Sequence, residues 1–280
     1  MKKGISIWSF CKDTLKEAFD LAHKAGFEGV EVALAEDGEI NLSTGEKQLC
    51  EIKKQAEDSG IALYSVASGL YWSYSITDDR PEMRSKAKDV VKKQLETAAV
   101  LGCDAILVVP GAVRVDFAPE LGVVDYEKAY ERSLEAFTEL KKDAEAYRVS
   151  IGLENVWNRF LTSPLEMRDF IDKIGSEFVG AYLDVGNVLF NGEPEHWIRA
   201  LGKRIKKVHL KDYRKNVGTL DGFVDLLAGD VNYPEVKKAL DDIGYDGWVS
   251  AEMIPSYTHY PDVLIYNTSR AMDAIINGKV

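Results

Sequence analysis

Short, nearly continuous runs of Val, Ile, Leu and Ala alternate along the whole chain with longer stretches in which apolar residues recur every three or four positions. The short runs predict strands at residues 4–9, 29–34, 61–67, 105–110, 149–155, 179–185, 205–211 and 248–253. Runs that are apolar throughout, rather than alternating, suit parallel strands covered on both faces. The longer stretches predict amphipathic helices: Leu15, Ala18, Phe19 and Ala22 form one stripe, and Leu134, Phe137, Leu140 and Ala144 form another.

The punctuation agrees with this division. Ser163-Pro164-Leu165-Glu166 supplies an N-cap serine, a proline at the first helical position and a glutamate three residues after the serine. Pro81 and Pro234 also stand where helices should begin. Gly26, Gly60, Gly102 and Gly244 follow helical stripes and precede strands, as helix-terminating glycines do. Repeated strand-then-helix units without a Ser/Gly linker or a shift in composition predict a single-domain (β/α)8 TIM barrel over residues 1–280. A doubly wound open sheet is the alternative. It lacks support at the first strand, where Ser6-Ile7-Trp8-Ser9-Phe10 carries no glycine-rich phosphate fingerprint.

Composition narrows the function classes. The 35 Lys and Arg against 46 Asp and Glu leave a formal charge of -11, which repels phosphate backbones and argues against bulk nucleic-acid binding. No stretch approaches the roughly 18 apolar residues of a membrane span, and Met1-Lys2-Lys3-Gly4 runs into a strand without the apolar region of a signal peptide. Cys11, Cys50 and Cys103 are few and lack metal-ligand spacing, which fits free thiols and a cytoplasmic location.

Candidate chemistry gathers in the last four strands. Leu153-Glu154-Asn155, Leu183-Asp184-Val185, Val208-His209-Leu210 and Ala251-Glu252-Met253 each interrupt an apolar run near its C-terminal end, the end that carries the active site in such barrels. Any one of these residues alone reads more simply as a helix cap, an ion-pair partner or a hydrogen-bonded core residue. Three carboxylates in register are different, because burying them together is costly unless a cation neutralises them. One imidazole with three carboxylates suits Mn²⁺, Mg²⁺ or Co²⁺, with Zn²⁺ also compatible, and the absence of thiolate argues against a structural zinc site. His23, His196 and His259 fall in helical segments or at helix starts and read as structural or surface residues.

Together with Val156-Trp157-Asn158-Arg159-Phe160, Gly186-Asn187 and Lys211-Asp212, these stretches resemble the xylose-isomerase-like barrel family over essentially the whole chain. Within it they are most similar to the sugar-phosphate isomerase/epimerase branch, which includes ketose 3-epimerases. The resemblance implies one divalent metal, Mn²⁺ foremost, held by Glu154, Asp184, His209 and Glu252, with no organic cofactor. It also implies that Glu154 and Glu252 serve as an acid/base pair that inverts C3 of a ketose or ketose phosphate through a cis-enediolate. That chemistry is coherent: a chelating metal stabilises the charge that develops, and carboxylates on opposite sides of the carbon remove and return the proton.

Substrate contacts follow less directly. Asn187 stands three residues after Asp184, where related epimerases place a sugar-contacting histidine, and Arg214 falls in the region of the family's substrate-binding arginine. Trp8, Phe10, Trp72 and Trp157 lie at or just beyond strand ends, and Trp8 and Trp157 are the candidates for an apolar wall against the sugar. The loop Tyr213-Arg214-Lys215-Asn216-Val217-Gly218-Thr219 is locally basic, a candidate phosphate site after strand seven. Leu227-Ala228-Gly229-Asp230-Val231-Asn232-Tyr233-Pro234 reads as a structural turn. An aldose–ketose isomerase and an inosose-type dehydratase share this scaffold as alternatives. A multinuclear zinc endonuclease would need more histidines and a basic groove, and a catalytically silent sugar-binding barrel would have no need of the buried carboxylates. The family also implies homo-oligomers, dimers or tetramers, for which the sequence shows no interface signal.

Overall fold

In the computed structural model, which describes residues 1–278, the apolar runs form eight parallel strands. They are β1 (Lys2–Ser6), β2 (Gly29–Leu34), β3 (Ala62–Ser68), β4 (Ala105–Val108), β5 (Ser150–Glu154), β6 (Val179–Asp184), β7 (Ile205–Leu210) and β8 (Trp248–Ala251). Each pairs with its sequence neighbour, and β1 pairs with β8, so the sheet closes into a barrel. Six strands, all but β2 and β3, end short of their apolar runs because the chain leaves the ladder at the C-terminal mouth. Ile7–Ser9 coils into a 3-10 turn after β1, and Glu252 lies one residue beyond β8, its N–H donating to Leu210 O at 3.1 Å.

Helices cover the outside: α1 (Leu15–Ala25), α2 (Glu46–Asp58), α3 (Pro81–Leu101), α4 (Tyr126–Tyr147), α5 (Pro164–Ile174), the four-residue α6 (Val185–Val188), α7 (Pro194–Leu201), α8 (Tyr233–Asp242) and α9 (Pro261–Asn277). Their ends carry the expected chemistry. Ser163 Oγ accepts the Glu166 N–H at 3.2 Å, Pro81 occupies the first turn of α3, and Asn232 caps α8 through the Glu235 N–H. Gly26 and Gly102 close α1 and α3 with φ of 89° and 81°, a left-handed conformation that costs a side-chain-bearing residue about 1 kcal/mol. Of the α4 stripe, Phe137, Leu140 and Ala144 are fully buried, and each large side chain contributes about 1.5–3 kcal/mol on leaving water. Among the described residues no helix is long and apolar enough to cross a membrane.

Inside the barrel, Ala67, Leu107 and Tyr182 form a separate small cluster beneath the C-terminal mouth, and Trp8 packs on it. Gly152 on β5 makes room for the Tyr182 ring: a Cβ there would stand 2.8 Å from Tyr182 Cδ2. That space lets the Tyr182 hydroxyl reach Glu31, a fully buried carboxylate on β2. The barrel's polar interior begins at that contact.

Candidate metal centre

The parallel register brings four side chains to one level. Asp184 pairs with His209 across β6 and β7, His209 with Ser250 across β7 and β8, and Glu154 ends β5 beside Tyr182. Each of Glu154, Asp184, His209 and Glu252 offers one ligand atom, and these atoms lie within 4.8 Å of one another. All four residues are buried, with Asp184 and His209 fully so.

The imidazole is aimed by its back partner. His209 Nε2 sits 2.9 Å from Glu31 Oε1, while Glu31 Oε2 accepts a hydrogen bond from the Tyr182 hydroxyl. This leaves Nδ1 facing the centre, 3.9 Å from Glu154 Oε1 and 3.9 Å from Glu252 Oε2. A carboxylate behind a ligating imidazole fixes its ring orientation and tautomer and raises its basicity. Asp184 is held as firmly. Its backbone N–H donates to Asn155 Oδ1 at 2.9 Å and its carbonyl accepts from Asn155 Nδ2 at 2.8 Å, while its Oδ1 accepts the Asn187 N–H at 2.8 Å.

Two buried polar atoms of the centre then have no hydrogen-bond partner: Asp184 Oδ2 and His209 Nδ1. Leaving a buried acceptor unsatisfied costs about 1–3 kcal/mol, and more when it is charged. Both orphans face the same point, and the charges ask for a cation there. Burial, with Glu252 close by, pushes the Glu154 carboxyl well above its ordinary range, and burial also raises Asp184. Glu252 goes the other way. Burial opposes its charge, but Lys211 and His209 outweigh that and hold it low. Burial likewise opposes charge on His209, yet Glu31, Glu252 and Glu154 together lift the imidazole up to about 10. A divalent ion at the centre would replace protons as the neutralising charge. The oxygen and nitrogen donors, the two orphans and the excess of negative charge therefore fit a metal such as Mn²⁺, Mg²⁺, Co²⁺ or Zn²⁺.

Sequence reasoning passed over three contributors. Lys211 extends its ammonium to Glu252 Oε2, lies 3.6 Å from Asp184 Oδ2 and covers the Phe223 ring at 4.9 Å. Glu31 orients the imidazole and Asn155 clamps Asp184. Their only local signals are a carboxylate inside Gly29-Val30-Glu31-Val32-Ala33-Leu34 and polar residues following Glu154 and His209.

The candidate substrate residues fare unequally. Asn187 is buried at the edge of the centre, its Nδ2 donating to Asn155 O at 3.1 Å. The Trp157 indole donates to Asn187 O at 3.2 Å and packs against Phe190, Tyr213 and Phe223. Both residues line a cavity of about 640 Å³. A second cavity, of about 340 Å³, opens onto Lys211, Phe223 and Glu252. Trp8 is half-buried on the interior cluster under the mouth. Arg214 is exposed on the short antiparallel ribbon of Asp212–Tyr213 and Phe223–Val224, where its Nε donates to Ala228 O at 3.1 Å, and it lines neither cavity. The basic loop is spent in the same way, since Lys215 Nζ pairs with Glu193 Oε1 at 2.8 Å. The turn that follows is structural as expected: Asp212 accepts the Gly229 and Val231 N–H groups at 3.0 and 3.1 Å. His23 and His196 lie in α1 and α7, and His259 precedes α9.

Residues 19–272 match the model of the xylose isomerase-like TIM barrel family, and the chain belongs to that family. It is 26% identical over 259 residues to the uncharacterized protein MJ1311 of Methanocaldococcus jannaschii, covering 90% of this chain and 83% of that one. It is 27% identical over 216 residues to the D-psicose 3-epimerase of Ruminiclostridium cellulolyticum, covering 73% of this chain and 68% of that one. The crystal structure of D-psicose 3-epimerase with D-tagatose from Clostridium cellulolyticum H10 superimposes with a TM-score of 0.79 at 23% identity, covering 98% of this chain and 97% of that one.

Proposed function

We propose that this protein is a metal-dependent sugar epimerase that inverts the carbon beside the carbonyl of a ketose, C3 of a 2-ketose. The observation that carries the reading is the buried set of Glu154, Asp184, His209 and Glu252, with Asp184 Oδ2 and His209 Nδ1 lacking any hydrogen-bond partner. The similarity to a D-psicose 3-epimerase supports the reaction class.

Asp184 and His209 would serve as metal ligands alone: both are fully buried and pinned from behind by Asn155 and Glu31. Glu154 and Glu252 would hold the ion and also move the proton. They come from β5 and β8, on either side of β6 and β7, so a hydroxyketone between them presents one face to each. A bound divalent ion supplies the positive charge that makes the carbon acid removable at neutral pH. One glutamate takes the proton from one face and the other delivers a proton to the opposite face, which inverts the stereocentre. Lys211, paired with Glu252, supplies a further cation beside the reacting oxygens. Asn187 and Trp157 position the rest of the sugar from the cavity wall.

The test is exchange in D₂O. With Mn²⁺ present, a panel of ketoses should yield an epimeric product carrying deuterium at C3. Deuterium at C1 or C2 with an aldose product would replace the epimerase reading with an aldose–ketose isomerase.

A further inference from the structure

The larger cavity offers more room than a lone ketose fills, aromatic rings in its wall and, among the described residues, no unpaired cation for a phosphate. It lies beside the metal centre: Asn155 and Asn187, which hydrogen-bond to Asp184, are part of its wall. Its wall comes from the loops that follow β4, β5, β6 and β7. Its volume of about 640 Å³ falls within the roughly 300–1,000 Å³ of sites that enclose drug-sized ligands. Aromatic rings make the wall. Phe117 and Phe190 remain 43% and 49% exposed there, and the Trp157 ring lies 4.7 Å from that of Phe190. Large exposed rings gathered around one concavity mark a binding surface, and a sugar ring or an aryl group offers the flat apolar face that such rings pack against.

Charge decides against a phosphate. Among the described residues the one cationic side chain in the cavity wall is Arg159, 2.6 Å from Asp116, a carboxylate that Arg114 also contacts at 3.1 Å, and Asp116 and Asp221 are both in the wall. A phosphate entering there would meet two carboxylates and a guanidinium already paired with one of them. The basic residues after β7 do not reach it, because Lys215 is paired with Glu193 and Arg214 is bonded to Ala228 O.

We propose that the substrate is a neutral ketosugar bearing a second ring through a glycosidic link. Its hydroxyketone unit lies at the metal centre, and its second ring fills the larger cavity against Trp157 and Phe190. This rests on the epimerase reading above and specifies its substrate class.

Three ketoses that differ only at O6 provide the test: fructose, fructose 6-phosphate and 6-O-glucosyl-fructose. With the Mn²⁺-loaded full chain in D₂O, deuterium should enter C3 of the glucosyl ketose with kcat/KM at least tenfold above that of either other sugar. Phe190→Ala, at a half-exposed position, should reduce that preference about tenfold. Fastest exchange with the phosphate, no preference for the glucosyl ketose over fructose, or a preference that Phe190→Ala leaves intact would each overturn the proposal. Exchange with none of the three would count against the epimerase reading itself. The substrate class is then judged separately by calorimetric binding to Glu154→Gln. Glucosyl ketose binding at least tenfold tighter than fructose 6-phosphate upholds it, and equal or reversed affinities overturn it.

Discussion

Replacing Glu31 by glutamine removes one charge from behind the metal centre while leaving its shape nearly unchanged. Glu31 is fully buried, with Oε1 2.9 Å from His209 Nε2 and Oε2 accepting the Tyr182 hydroxyl. The amide oxygen can still accept from the imidazole, so the ring stays oriented, but the negative charge that makes Nδ1 a strong donor is gone. Losing such a partner typically lowers metal affinity about 10–100-fold, or about 1.4–2.8 kcal/mol. Calorimetric titration of Mn²⁺ into metal-free protein at fixed pH measures this directly. Thermal unfolding gives a second reading, since a ligand stabilises only to the extent that it binds the folded state. The rise in Tm on adding Mn²⁺ should shrink by about 2–4 °C for each kcal/mol of lost affinity. The metal-free protein should also lose stability, because Glu31 is the nearest counter-charge to the buried imidazole. An Mn²⁺ affinity within twofold of the wild type would refute the claim that Glu31 tunes the ligand.

Glu154→Gln keeps a metal-binding oxygen but cannot carry the proton, so folding by circular dichroism should be retained while turnover falls at least about 100-fold; near wild-type activity would sink the acid/base assignment. Chelation by EDTA should abolish turnover and lower Tm, by the loss of about 2.7 kcal/mol if the ion had been present at about 100 times its Kd, and Mn²⁺ should restore both. A silent sugar-binding barrel would instead keep its sugar affinity after chelation. Ser163→Ala removes the cap from α5 and should cost about 0.5–2 kcal/mol in denaturant unfolding with Mn²⁺ affinity unchanged.

Much of the barrel is legible in the chain because local and global preferences coincide. The run Gly29-Val30-Glu31-Val32-Ala33-Leu34 forms a strand over the residues expected, and the Ser163-Pro164 signal opens α5 where it should. The strand ends at the mouth depart from their apolar runs for a physical reason. Ile7 and Trp8 continue the apolar character of β1 but lie in a 3-10 turn, from which Trp8 packs on the interior cluster, and Glu252 lies one residue beyond its strand. The four candidate ligands are visible because each breaks an apolar run at the same level of the barrel.

What supports them is harder to see. Glu31 meets His209 across 178 residues of sequence, a contact that exists only once the barrel has closed. Lys211 sits in a motif whose histidine draws the attention, yet its ammonium lies on Glu252. Arg214 shows the opposite case: a basic residue in the expected region follows the Asp212–Tyr213 ribbon and donates to the carbonyl of Ala228.

Whether Glu154, Asp184, His209 and Glu252 hold one divalent ion is decided by anomalous diffraction from crystals soaked in Mn²⁺. A single strong peak is expected at the barrel mouth, within about 2.0–2.3 Å of Asp184 Oδ2 and His209 Nδ1 and of one oxygen from each glutamate. A centre without a peak at saturating Mn²⁺, or a peak held by other residues, would show that these four side chains are not the metal site.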